Sequence, residues 1–403
     1  MSAQPELLYE AQPYQLGEIV RQYDVDPSDL GIRADLLPRS ITGVEVRDPY
    51  VEQYSPEDIQ EVKTHEQAAN DFAQARRMAG KWERKPGTAY YDSDDKKQET
   101  KRGFGDPVSR DKFFNQELGS PAINAWRTKI PSAEALADLS DPLNRTVITD
   151  KNGNIVPMDE TGRKWLSLCT DAVGIRSRAT VMAEVVRKFS AEQFALGASD
   201  RTDFRWLSVA CGTALPSMQG AIAAGVNPDL LLVDFDQSAM AATERLKEEI
   251  GYQGRIVRPA QEVVGKDGIN IFDPMEMGKL KDYLGDNGGR PKLIDLMGIF
   301  EYTGENLGVD SAQFLKTCYD MLAPGGKLVF GQMRADREVQ DFTMGVVSWP
   351  FVEMRSPGEF MQIIADAGIR TDSVDLYLPS DKVYTVGVIS KPLEEAKNLA
   401  KAA

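Results

Sequence analysis

After Arg205 the chain alternates between two kinds of segment, and this alternation constrains its fold more than any other feature. Short apolar runs stand at Trp206–Ala210, Leu230–Asp234, Arg255–Arg258, Lys292–Met297 and Lys327–Gln332. Helical periodicity falls between or after them at Pro216–Ala224, Ser238–Glu249 and Asp310–Leu322. Runs that are apolar at nearly every position suit strands buried on both faces, and a strand–helix–strand order demands a crossover connection. The expectation is a doubly wound α/β fold around a mostly parallel sheet. The last pair of runs differs. Only Leu378-Pro379-Ser380-Asp381-Lys382 separates Ser373–Tyr377 from Val383–Ser390. That is too short for a crossover helix, so a terminal antiparallel hairpin is predicted at the sheet edge, closing a seven-stranded sheet.

Upstream the pattern is weaker. The 403 residues, 42% of them hydrophobic, exceed the usual ~100–150 residues of one domain, so two regions are expected. Residues 1–158 are polar and punctuated by proline, and read as a mainly helical and irregular N-terminal region; residues 159–403 read as the core domain. Within the first, Ser55-Pro56-Glu57-Asp58 combines a capping serine, a first-turn proline and an acid at the third helical position. It predicts a helix from Pro56 to about Lys81. Lys85–Asp106 mixes charge and glycine without period, as a loop does. Trp165, Leu166, Leu168, Cys169, Ala172 and Val173 recur at helical spacing, as do Ala179, Val181, Met182, Val185, Val186 and Phe189. The stretch Gly174-Ile175-Arg176-Ser177-Arg178 lies between the two sets, which predicts two helices leading into the core.

Composition excludes several classes. A formal charge of -15 disfavours nucleic acid, whose affinity comes from Lys and Arg neutralising phosphates. Cys169, Cys211 and Cys318 lie far apart and His65 is the single histidine. No metal site or disulfide framework is therefore expected, and a reducing cytoplasm fits best. No run of about 18 apolar residues and no signal-like start is present, so neither membrane association nor a leader is expected.

The chemistry concentrates in Ser208-Val209-Ala210-Cys211-Gly212-Thr213-Ala214. At a strand-to-helix turn, small residues let the backbone approach a ligand, and the helix N-terminus adds partial positive charge. Alone, this is either a degenerate nucleotide loop or a tight turn with no ligand. The second strand adds Asp234, followed by Phe235 and Asp236. An acid at that strand tip is where one carboxylate grips a ribose diol, and Asp236 reads as a helix-capping or solvated acid. A dinucleotide loop wants G-x-G-x-x-G, and here one glycine remains.

Together the loop, Asp234, P-K-L-I-D-L-M-G-I-F-E-Y, L-A-P-G-G-K-L-V-F and the final hairpin resemble the class I S-adenosylmethionine-dependent methyltransferases, whose first motif is commonly V-L-D-V-G-C-G-T-G. The resemblance spans roughly Trp206 to Lys391. G-I-R-S-R at 174–178, A-C-G, M-G-I-F-E-Y and S-W-P-F-V-E-M-R-S-P-G-E-F further resemble a bacterial subgroup, the 3-hydroxypalmitate methyl ester synthase type. The resemblance implies a Rossmann-like fold and S-adenosylmethionine as cofactor. It implies methyl transfer to a small-molecule acceptor, at a carboxylate or hydroxyl oxygen. Ala210 to Ala214 would face the methionine part, Asp234 and Phe235 the ribose region, and Gly298 the sulfonium. Gln261 or Glu262 would meet the adenine. Ser208 stands where the family has an acid, which leaves the methionine ammonium to backbone carbonyls or to an acid from elsewhere. Arg176, in preference to Arg178, is assigned to the methionine carboxylate; both also read as surface arginines.

Transfer from a sulfonium is an in-line displacement that asks mainly for alignment and dryness. Glu301 and Tyr302 are the candidates for acting on an acceptor proton, if the acceptor has one to lose. Trp349, Phe351 and Met354 read either as an acceptor pocket or as core, and residues 1–158 as a cover over the acceptor side. Two other readings stay open. A-L-P-S and V-D-F-D-Q-S-A-M-A-A are similar to the nicotianamine synthases, which move the aminocarboxypropyl group instead, and the degenerate loop also suits a non-catalytic scaffold.

Overall fold

The computed structural model describes residues 15–84, 105–130, 132–195, 204–286, 289–349 and 352–393. Its strands are β1 (Glu18–Asp24), β2 (Ser40–Arg47), β3 (Val147–Thr149), β4 (Ile155–Pro157), β5 (Arg205–Val209), β6 (Asp229–Val233), β7 (Ile256–Val257), β8 (Leu293–Leu296), β9 (Lys327–Met333), β10 (Val374–Pro379) and β11 (Tyr384–Ser390). Nine of them make one sheet in the order β1-β2-β10-β11-β9-β8-β5-β6-β7, and β3 and β4 form a separate hairpin. The five strands β5 to β9 are mutually parallel, and β11 runs antiparallel between β9 and β10.

Each core strand sends alternate residues to opposite faces, as the pleat requires. Leu207, Val209, Leu231, Val233, Ile294, Leu296, Leu328 and Phe330 pack on one side against the helices Pro274–Asp286, Ser311–Met321 and Pro357–Asp366. Trp206, Leu230, Leu232, Leu293 and Val329 pack on the other against Thr170–Ala195, Leu215–Ala223 and Gln237–Ile250. Both faces are dry, which is why the strands read as continuous apolar runs.

Three expectations need correction. The sheet has nine strands, not seven, and the terminal hairpin is not at its edge. β2 pairs in parallel with β10 (Leu376 beside Ile41), and β1 pairs antiparallel with β2. The N-terminal region is therefore not only helical and irregular. β1 exposes nearly every residue, so no apolar run marks it in the sequence. The third correction concerns the helices before the core. They break at Cys169, where the backbone is extended, and Gly174–Arg178 lies inside Thr170–Ala195. Gly174 permits close packing there, because a Cβ would come within 2.4 Å of the Val383 side chain on the approach to β11.

The capping box at Ser55 and Asp58 starts the helix Pro56–Met78 as predicted. A further core joins this region to the rest. Trp126 meets Trp165 edge to face at 5.3 Å, and Phe113 meets Phe342 at 5.0 Å. Arg77 and Arg84 both pair with the buried Asp341. Of the loop read at Lys85–Asp106, residues 85–104 lie outside the described residues.

Candidate functional site

The chain leaves β5 toward β6 on one side, while β8 returns on the other, and the helices after β5 and β8 lie on opposite faces. Such a switch point opens a crevice beyond the carboxyl ends of the strands. A cavity of about 630 Å³ lies there, lined by Ala210, Cys211, Gly212 and Thr213 from the loop, Asp234, Phe235 and Asp236 after β6, and Met297, Gly298 and Ile299 after β8.

The loop resolves the oddity of its own sequence. Ala210, Gly212 and Ala214 all take left-handed backbone, with φ of 52°, 51° and 54°. The two alanines thus hold the conformation that glycine would hold, at roughly 1–2 kcal/mol each. Gly212 is needed twice over, because a Cβ on it would also come within 2.6 Å of Ala133 Cβ. That contact comes from the helix Ala133–Ser140, whose Ala133, Leu136, Ala137 and Ser140 form the wall opposite the loop.

Asp234 fastens this geometry. Its carboxylate accepts from Gly212 N–H at 2.7 Å and from Asp236 N–H at 2.9 Å. It is buried, and burial raises its pKa despite those bonds. A carboxylate offers about four acceptor sites, so it can still accept from a ligand hydroxyl. Asp236 caps the next helix, accepting from Ala239 N–H at 3.2 Å. Phe235 is 62% exposed at the cavity wall, a free aromatic face. The helix Leu215–Ala223 begins at the cavity without a side-chain cap, which favours a negative group there.

Several assigned residues sit elsewhere. Ser208 does not reach the cavity. Its hydroxyl bonds Asp295 Oδ1 at 3.1 Å beneath the loop, where Trp206 Nε1 and Ser217 Oγ also donate to that carboxylate. The acid missing from β5 is thus present on the neighbouring strand, and burial pushes the Asp295 carboxyl up to about 6. Ala214 turns into the helix with its methyl in the core. Arg176 is spent on structure: it donates to Asp48 Oδ2, Leu139 O and Ser167 O. Gln261 and Glu262 are exposed, because β7 is only two residues long and its helix starts at once. Asn270 and Phe272 take that stretch of wall, drawn in by Ile269 N–H donating to Asp234 O. Met354 packs on the further core, and Phe351 lies outside the described residues. His65 is partly buried, and among the described residues no cluster of metal-ligating side chains occurs.

Arg178 is the residue that sequence reasoning passed over. Two positions along a helix turn about 200°, so it faces away from Arg176. It lines both the main cavity and a small inner chamber of about 20 Å³ that also touches Asp171, Glu301, Tyr302, Trp349 and Tyr384. Glu301 and Trp349 belong to this inner chamber, and Tyr302 borders both spaces. Gly298, with φ of 107°, leaves 3.0 Å between its missing Cβ and Arg178 Nη2.

No protein-family profile and no curated protein matches the chain. Among solved structures it is similar to an O-methyltransferase family protein from Burkholderia thailandensis, at 14% identity and a TM-score of 0.35, over 56% of this chain and 60% of that one. It is similar to an O-methyltransferase family 2 protein from Planctomyces limnophilus, in complex with apigenin, at 12% identity and TM-score 0.33 over 69% and 94%. The S-adenosylmethionine-dependent methyltransferase SibL gives 15%, 0.36, 69% and 94%. Likeness of this extent leaves the chemistry to be argued from the site itself.

Proposed function

We propose that the protein transfers a methyl group from S-adenosylmethionine to a small-molecule acceptor. The observation that carries this reading is Asp234: a buried carboxylate that lines the switch-point cavity while bonding the backbone of the one glycine in the loop. A pyrophosphate is a poor occupant. The Gly212 N–H that would cradle it is already taken by a carboxylate, and Asp236 adds a second acid to the wall. A cofactor with a ribose diol, an aromatic base and a sulfonium suits these residues better. Asp234 would take the ribose, Phe235 with Phe272 and Asn270 the base, and the uncapped start of the helix Leu215–Ala223 the methionine carboxylate.

When bound, this cofactor supplies an electrophilic methyl group. The chain's own part is to align the acceptor and exclude water. We assign the acceptor to the side of Gly298 and Tyr302, with Leu136 and Ile175 as apolar walls. The helix Ala133–Ser140 makes the N-terminal region a cover over that site. The test is mass spectrometry of the cofactor product after incubation of the protein with S-adenosylmethionine and a cell extract. S-adenosylhomocysteine is expected; methylthioadenosine would mean aminocarboxypropyl transfer, and an unchanged cofactor would favour a scaffold.

A further inference from the structure

Arg178 and Glu301 are both buried, at 2% and 3% exposure. Their contact is long for an ion pair, Nη1 to Oε1 at 3.4 Å. Among the described residues, Arg178 Nε and Glu301 Oε2 each lack a hydrogen-bond partner. Buried charged atoms without partners are costly enough that their recurrence in one place asks for a reason. Both residues line the inner chamber, whose volume is that of about one water. Five residues (Leu136, Ile175, Arg178, Gly298 and Tyr302) border both that chamber and the main cavity.

The groups facing Glu301 narrow its role. Arg178 comes from the helix Thr170–Ala195 and is held over the Tyr384 ring at 4.3 Å. Burial raises the Glu301 pKa, and the Arg178 charge, more than that of Arg355, works against that rise; the Arg355 guanidinium is itself tied to Gln332 and to the Phe300 and Thr303 carbonyls. Asp171 already has Arg337 as its cation and also accepts from Trp349 Nε1. Tyr302 and Tyr384 are neutral phenols whose pKa values burial raises. Arg178 is thus the cation that Glu301 shares with no other carboxylate in the chamber.

We propose that Arg178 and Glu301 work as one proton-accepting unit in the inner chamber, which the acceptor's proton reaches from the cavity through the one water the chamber has room for. Glu301 takes the proton, and Arg178 is a positioning residue that holds the carboxylate ionised and oriented. This rests on the methyl-transfer reading and deepens it. The acceptor is then a neutral compound with a proton to lose, of the hydroxyl or amine class. An ionised acceptor would need no base, and it would meet the Glu301 charge with the nearest guanidinium already paired. The balance is simple. The acceptor heteroatom gains a bond to the methyl carbon and loses its proton to Glu301, and the electron pair of the broken carbon–sulfur bond stays on sulfur.

The test does not require the acceptor. Infrared difference spectra of the full-length protein, wild type minus Glu301→Gln, are titrated against pH to follow the Glu301 carboxyl. They are then repeated in Arg178→Met and Arg178→Lys backgrounds. The midpoint is expected to rise by one pH unit or more in Arg178→Met, a tenfold or greater gain in proton affinity, and to return most of the way in Arg178→Lys. Arg178→Gln gives the same comparison if methionine is not tolerated. An unchanged midpoint overturns the proposal, as does an equal shift in the lysine and methionine variants. Calorimetry with S-adenosylhomocysteine separates the two readings. Arg178→Met is expected to bind it within about threefold of wild type, and a selective loss in that variant would make Arg178 a cofactor ligand instead. Failure of the wild-type protein to bind it would count against methyl transfer, not against the Arg178–Glu301 pairing.

Discussion

At the scale of single residues, the loop shows how a degenerate motif keeps its geometry. Ala210 and Ala214 replace expected glycines without changing the backbone, and the left-handed strain remains in the folded state. Replacing Ala210 by Gly removes about 1–2 kcal/mol of strain and returns about 0.4–1 kcal/mol of chain entropy to the unfolded state. The variant should be more stable by up to about 1 kcal/mol in urea unfolding. Ala214→Gly should gain less, because its fully buried methyl is worth about 0.8 kcal/mol. Destabilisation of Ala210→Gly by more than about 1 kcal/mol would mean that the loop is held by something other than its backbone angles. Gly212 has no such freedom: its φ is one that Ala210 and Ala214 also hold, but a Cβ on it would come within 2.6 Å of Ala133 Cβ.

At the scale of elements, β5 and β8 share one buried polar cluster, with Trp206, Ser208 and Ser217 all donating to Asp295. The Asp295 carboxyl is raised by burial from 3.8 to about 6. Folding therefore favours its protonated form, and its contribution to stability is greatest below about pH 4, then falls as pH rises toward 6. The unfolding free energy of wild type relative to Asp295→Asn should fall by about 3 kcal/mol between those limits. A rise over that range would mean that the three donors outweigh burial. The core elements were legible because their strands are buried on both faces and their helices are periodic. The glycine loop and Asp234 were legible because a sharp turn and a strand-tip acid leave local marks. Ser208 and Arg176 were misplaced because their partners Asp295, Asp48 and Leu139 come from distant parts of the chain, and Gln261 because β7 is only two residues long and the next helix follows at once. β1 and β2 went unseen because β1 is an exposed edge strand and β2 fully buries only Gly43 and Val44, so neither carries a long apolar run.

At the scale of the whole molecule, the N-terminal region and the core share one sheet and one aromatic cluster. β2 covers β10, and Phe113, Phe114 and Trp126 pack with Trp165, Phe342 and Trp349. A chain cut to residues 159–403 would expose the β10 edge and half of that cluster, and would lose the wall formed by Ala133–Ser140. It should aggregate or lose cooperative unfolding in a thermal melt; a soluble, fully active fragment would refute the role of cover. The central claim, that the switch-point cavity holds S-adenosylmethionine through Asp234, is tested most directly by titration calorimetry of the intact protein. S-adenosylmethionine and S-adenosylhomocysteine should bind one per chain while NAD does not. Asp234→Ala should weaken them by about ten- to a hundredfold, the effect of losing charge-assisted bonds of roughly 1.5–3 kcal/mol each. Binding of NAD without either sulfur compound, or full affinity in Asp234→Ala, would contradict it.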